Sequence, residues 1–142
     1  MSKLAVIDIG TNSIHMVLAE ILPDAGFKIL DRFKDMTRLG NGVFSTRRLS
    51  EEAMARALEV LKTLVTLARN KGFERIIAVA TSAVREAQNG GDFVAFIMEQ
   101  TGLRVRHNVA YVLERTKAYD LDTLKRLQLS LKKFLNIDQK HL

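Results

Sequence analysis

The feature that most limits what this chain can fold into is a short turn-prone stretch, Asp8-Ile9-Gly10-Thr11-Asn12-Ser13, set between two apolar runs. Leu4-Ala5-Val6-Ile7 before it is short and wholly apolar, as a strand buried on both faces must be. Ile14-His15-Met16-Val17-Leu18-Ala19 after it is again compatible with a strand. Gly10 can adopt a positive φ and has no side chain to obstruct a ligand. Thr11, Asn12 and Ser13 carry hydroxyl and amide groups and leave backbone N–H groups accessible, the ingredients of an anion-binding nest. Asp8 adds a carboxylate at the strand end, where it could hold a metal or orient a water. The same residues also make an ordinary hairpin turn with an Asx-type hydrogen bond, and on composition alone that reading is the commoner.

Residues 3–9 and 14–21 therefore read as two strands, and Pro23-Asp24-Ala25-Gly26 signals a second turn. Phe27–Met36 reads as a third strand, completing an antiparallel meander. Arg38-Leu39-Gly40-Asn41-Gly42 then reads as a flexible loop whose guanidinium could sweep onto a phosphate, for which its planar fork is suited. Ser50 is placed to cap a helix, with Glu51 and Glu52 against the positive end of its dipole. Met54, Ala57, Leu58, Leu61, Leu64, Val65 and Ala68 follow at helical spacing, and Gly72 stands where the chain leaves the helix. Arg75–Ala80 is a short apolar strand that completes a strand–helix–strand crossover. Meander plus crossover argues for an α/β domain with a mixed sheet.

That strand runs into Thr81-Ser82-Ala83-Val84-Arg85, where hydroxyls and free N–H groups converge as a helix begins. The alternative there is a hydroxyl cap with an exposed arginine. Asn89-Gly90-Gly91 is expected to break this short helix, and Asp92 to cap the next, whose apolar face is Phe93, Phe96, Ile97 and Gln100. Gly102 should end it, with a further strand starting at Leu103-Arg104-Val105.

Residues 107–142 change character, with seven Lys/Arg against four Asp/Glu. Leu121, Leu124, Leu127, Leu131 and Leu135 lie at spacings compatible with one helical face, so a basic amphipathic helix is expected. It packs on its own domain, or docks on a partner, a second copy or an acidic membrane surface.

A chain of 142 residues, 47% hydrophobic and 27% charged, can build one domain with a real core. It has no cysteine, which excludes disulfides and thiolate metal sites and fits a reducing cytoplasm. His15, His107 and His141 are too scattered for a metal cluster. No signal peptide or transmembrane run is expected. The net charge of +6 favours polyanionic partners, while nine aromatics without a basic-aromatic pattern argue against specific nucleic-acid binding.

Taken together and in order, residues 5–13, 38–42 and 78–90 resemble the exopolyphosphatase/guanosine pentaphosphate phosphatase (Ppx/GppA) family, over residues 1 to about 106. The resemblance implies a subdomain of the actin-like ATPase, ribonuclease H-like type. It has a mixed sheet (a three-strand antiparallel meander plus parallel crossover strands), followed by a non-matching helical tail at 107–142. It implies hydrolysis of terminal phosphoanhydrides, of polyphosphate or guanosine pentaphosphate, with Mg²⁺. Gly10, Thr11, Asn12 and Ser13 map to the first phosphate loop, and Asp8 to the carboxylate near metal and water. Arg38 and Arg85 map to phosphate ligands, with Thr81 and Ser82 close by. Such residue types suit phosphoryl transfer, which needs positioning and charge neutralisation above all.

The chain also departs from that pattern. Where the family continues with a Ser-Gly-x-Glu-Glu-Ala type motif carrying the catalytic glutamate, this chain reads Arg106-His107-Asn108-Val109-Ala110-Tyr111, and Glu114 stands in no matching motif. The second loop, of Asp-x-Gly-Gly-Gly-Ser type, is missing too, so a truncated form with impaired catalysis is expected. Three functions stay open: a phosphoanhydride hydrolase, a non-catalytic polyphosphate-binding module, or an interaction fragment that pairs through Leu121–Leu135.

Overall fold

The polar turn folds its two apolar flanks back on each other. In a computed structural model of the protein, residues 2–22, 27–80 and 82–106 are described. Strand β1 (Ser2–Ile9) pairs antiparallel with β2 (Ile14–Ile21) in a register that runs from Ser2 opposite Ile21 to Ile9 opposite Ile14. Strand β3 (Phe27–Asp35) returns along β2. A short helix α1 (Val43–Thr46) and the long α2 (Glu51–Asn70) lead to β4 (Ile76–Ala80), which lies parallel to β1. Helices α3 (Ser82–Glu86) and α4 (Gly90–Thr101) then lead to β5 (Val105–Arg106), parallel to β4. The sheet order is β3-β2-β1-β4-β5. Meander and crossover are both as the sequence implies, and the class is α/β with a mixed five-stranded sheet.

One face of the sheet builds the main core. Ala5, Ile7 and Ile9 of β1 alternate onto it with Ile14, Met16 and Leu18 of β2, against Ala53, Ala57, Leu61, Leu64, Val65 and Ala68 of α2. Three alanines on this helix face let its backbone approach the sheet, while the leucines fill the space between. Each large aliphatic side chain removed from water here contributes roughly 1.5–3 kcal/mol. Ser50 caps α2 as expected, its hydroxyl accepting from the Ala53 N–H at 3.1 Å. Gly72, at φ +86°, takes the left-handed conformation that lets the chain leave the helix.

Several local expectations need correction. Helix α1 was not anticipated: the Ser45 and Thr46 hydroxyls donate to the Gly42 carbonyl and Val43 is buried, which holds a turn too short to show periodicity. Asp92 does not cap α4, because the helix already starts at Gly90 and leaves Asp92 in its first turn. Phe93 and Ile97 are buried, but Phe96 and Gln100 are exposed, so the apolar stripe of α4 is narrower than its sequence implies. Strand β5 begins at Val105 rather than Leu103, although Leu103 is buried. The Pro23–Gly26 turn, Thr81 and the 107–142 tail with its Leu121–Leu135 stripe lie outside the described residues.

Candidate functional site

Strand direction brings the singled-out segments to one end of the sheet. The β1–β2 turn stands at the carboxyl end of β1, and β3 ends beside it, with Asp35 opposite Ile14. Strand β4 ends at the same level, Ala80 opposite Ile9, so Ser82 follows immediately. Ligands of open α/β sheets gather at the carboxyl ends of parallel strands, where the connections diverge.

The turn itself is wired through its carbonyls. Gly10 N–H donates to the Ser13 carbonyl at 2.9 Å, Arg38 N–H to that of Asn12 at 2.9 Å, and Gly40 N–H to that of Thr11 at 2.8 Å. All three turn carbonyls are therefore drawn inward. Among the described residues, the N–H groups of Thr11 and Asn12 donate to no backbone carbonyl. A loop whose acceptors are spent and whose donors are not presents a positive backbone edge, as an oxyanion requires.

These bonds correct two expectations. The Arg38 loop does not sweep freely: its backbone is stitched to the turn, and Leu39 between the two stitches is fully buried. Arg38 sits at φ +52°, a conformation that non-glycine residues rarely adopt, held by the bonds on either side. Its side chain stays exposed. Gly10 is needed for close approach rather than positive φ, since a Cβ there would lie 2.8 Å from the Ser13 carbonyl oxygen. Gly40 likewise leaves no room for a Cβ against the Thr11 methyl. The two motifs form one folded unit, with a glycine on each side of the seam.

Asp8 lies under the turn, with Oδ1 buried and without a hydrogen-bond partner. Burial pushes its carboxyl up from 3.8 to about 7, because the charged form loses water. Its cross-strand partner in the ladder is His15. Ser13 and His15 are both buried, and Ser13 Oγ lies 2.6 Å from His15 Nε2. Ser13 thus points its hydroxyl at a ring within the protein, which sequence spacing did not reveal.

In the third segment, Ser82 is half-buried at the start of α3, and Arg85 is exposed one turn on. Thr81 lies outside the described residues. Among the described residues, the guanidinium groups of Arg38 and Arg85 make no hydrogen bond or ion pair.

Asn89, a helix breaker by sequence and part of the 78–90 segment, also pins this segment. Its Oδ1 accepts from the Leu49 N–H at 2.8 Å and its Nδ2 donates to the Leu49 carbonyl at 3.0 Å, both buried. A side-chain amide imitating a strand partner over 40 residues of separation leaves no local sequence signal. Arg56 of α2 was missed for the same reason; its guanidinium donates to the Thr37 carbonyl, just before Arg38. A cavity of about 720 Å³ between α2 and α4, lined by Leu49, Met54, Leu58, Phe93 and Phe96, contains none of the proposed phosphate residues.

Comparison with known proteins supplies the class. The Ppx/GppA phosphatase family matches at residues 17–107, a span that includes Arg38, Ser82 and Arg85 but not the Asp8–Ser13 turn. The crystal structure of the type II variant of the Aquifex aeolicus Ppx/GppA phosphatase is 33% identical, with a TM-score of 0.71 over 76% of this chain and 36% of that one. An exopolyphosphatase from Cytophaga hutchinsonii is 32% identical, with a TM-score of 0.69 over 73% of this chain and 33% of that one. An exopolyphosphatase-like protein is 30% identical, with a TM-score of 0.70 over 75% of this chain and 32% of that one. The fold is therefore the actin-like α/β type of these phosphohydrolases. The chain belongs to the Ppx/GppA phosphatase family, and it spans about a third of the length of these solved relatives.

Proposed function

We propose that this chain supplies the first phosphate-binding half of an exopolyphosphatase-type site. It would act on terminal phosphoanhydrides of polyphosphate or of guanosine pentaphosphate. The observation that carries this reading is the engagement of the Thr11, Asn12 and Ser13 carbonyls, which leaves N–H donors on a turn to which the backbone of Arg38, with its exposed side chain, is bonded. Those donors and the guanidinium would hold a terminal phosphate together with Thr81, Ser82 and Arg85 of the segment that follows β4. Neutralising and orienting the phosphate is the larger part of phosphoryl-transfer catalysis.

The chemistry of Asp8 fits a role beside Mg²⁺. A buried carboxylate oxygen without a partner is satisfied by a cation, whose charge also restores the ionised form against desolvation. Among the described residues no group of three or more His, Cys, Asp or Glu could hold a metal alone. Mg²⁺ is commonly held by one or two carboxylates together with substrate phosphates, so Asp8 would share it with the bound phosphate. When bound, it would supply charge neutralisation at the phosphoryl oxygens.

The glutamate that activates water in the family has no counterpart motif after Val105, so binding without turnover is the second reading. Phosphate release from polyphosphate and from guanosine pentaphosphate with Mg²⁺, measured beside direct polyphosphate binding, separates the two. Turnover that falls in Asp8→Ala supports the hydrolase. Binding that is lost in the Arg38→Ala/Arg85→Ala double variant, with no phosphate released, supports the half-site. Absence of both discards the phosphate reading.

A further inference from the structure

We infer that His15 is a positioning residue for the phosphate turn: its Nε2–H donates to Ser13 Oγ and turns the serine hydroxyl proton toward the bound oxyanion. The inference rests on the phosphate reading above and adds to it a residue that touches no phosphate.

A serine hydroxyl is a rotor with one proton and two lone pairs. Left alone at the edge of a turn, it samples several orientations and offers an anion a donor only part of the time. Here Ser13 Oγ is held 2.6 Å from His15 Nε2, a short bond between two buried side chains. The imidazole is fixed in its turn: His15 lies inside β2, paired with Asp8 of β1 and Lys34 of β3, with only 3% of its surface exposed. Two tautomers of the ring have opposite consequences. A bare Nε2 would consume the hydroxyl proton and leave Ser13 with only lone pairs, which repel a phosphate oxygen. A protonated Nε2 donates to Oγ, occupies a lone pair, and leaves the hydroxyl proton as the group Ser13 has to give. The second arrangement is the one in which Ser13 adds a donor to a turn whose Thr11, Asn12 and Ser13 carbonyls are already engaged by N–H groups.

The test combines a spectroscopic signature with a double-mutant cycle. Imidazole ¹⁵N shifts of the wild-type protein should place a proton on Nε2 of His15; a proton on Nδ1 alone overturns the inference whatever the variants do. In calorimetric titration with polyphosphate, Ser13→Ala and His15→Leu should each weaken binding by about tenfold, the size of one hydrogen bond to a charged group. The double variant should be no weaker than either single one, because His15 acts through Ser13. His15→Gln, whose amide nitrogen can donate from nearly the Nε2 position, should restore most of the affinity. Independent, additive losses, or a His15→Gln variant as weak as His15→Leu, overturn the role. Wild-type protein that fails to bind polyphosphate overturns the phosphate reading and this role with it. Binding that is intact in wild type and His15→Leu but lost in Ser13→Ala overturns the role of His15 alone.

Discussion

Strands β1 and β2 show two faces to the rest of the protein, and the faces are used differently. On one, Ala5, Ile7, Ile9, Ile14, Met16 and Leu18 meet α2 in an unbroken apolar core. On the other, Leu4, Val6, Val17 and Ala19 are just as buried, but the row ends at the turn in Asp8, Ser13 and His15. The contrast is carried by neighbours: Ile7 and Asp8 are adjacent in sequence and point to opposite sides of the sheet. The first face supplies stability through close packing. The second gives some of it up at one end, where a carboxyl oxygen is left without a partner and a serine is bonded to a histidine. Polar groups held under such constraint are costly in the folded state, which is why they mark the end of the sheet where chemistry is proposed.

The sharpest way to break this comparison is to alter the two neighbours in turn. Ile7→Ala should cost about 4 kcal/mol by emptying a fully buried site in the core, read as a lower denaturant midpoint in urea. Asp8→Asn should act in the opposite direction. The folded-state carboxyl is raised from 3.8 to about 7, so the folded protein holds a proton that the unfolded chain releases. The contribution of Asp8 is therefore undiminished below pH 3.8, falls as pH rises toward 7, and stays low above it. Asp8→Asn should abolish that slope and raise stability at pH 8 by on the order of 3 kcal/mol in the metal-free protein, measured by urea unfolding across pH. A pH slope unchanged in the variant would mean that Asp8 does not suffer the burial described.

Smaller effects are expected where side chains tie segments together. Asn89→Ala leaves the buried N–H and carbonyl of Leu49 without partners and should cost about 2 kcal/mol, with faster amide exchange at Leu49. Gly40→Ala drives a methyl against Thr11 and should cost about 1 kcal/mol. It should weaken polyphosphate binding out of proportion to that loss, because the displaced residue is part of the turn. Binding unchanged in Gly40→Ala would separate the Arg38 loop from the phosphate site.

Much of the scaffold was legible from local pattern. The apolar runs on either side of the turn, the spacing from Ala57 to Ala68, the Ser50 cap and Gly72 each act within a few residues, so they appear in sequence as they act in space. The family resemblance was legible for a similar reason, since three short segments keep their order along the chain. The pieces that escaped notice act over distance: Asn89 bonds Leu49, Arg56 bonds the residue before Arg38, and α1 is held by two hydroxyls and one buried valine. The width of the α4 stripe escaped for a related reason, because whether Phe96 is covered depends on what lies opposite it.

The sequence alone determined that there would be a hairpin, a crossover helix, a parallel return strand and a polar turn at the end of the first strand. Hydrophobic periodicity and turn chemistry are properties of neighbouring residues, and they suffice for that much. Only the tertiary structure decided that the Arg38 loop would be bonded to the turn, that the turn carbonyls would face inward, and that Asp8 would be desolvated beside a buried histidine–serine pair. Those outcomes depend on which backbone groups find partners across long stretches of chain, and on where water is excluded.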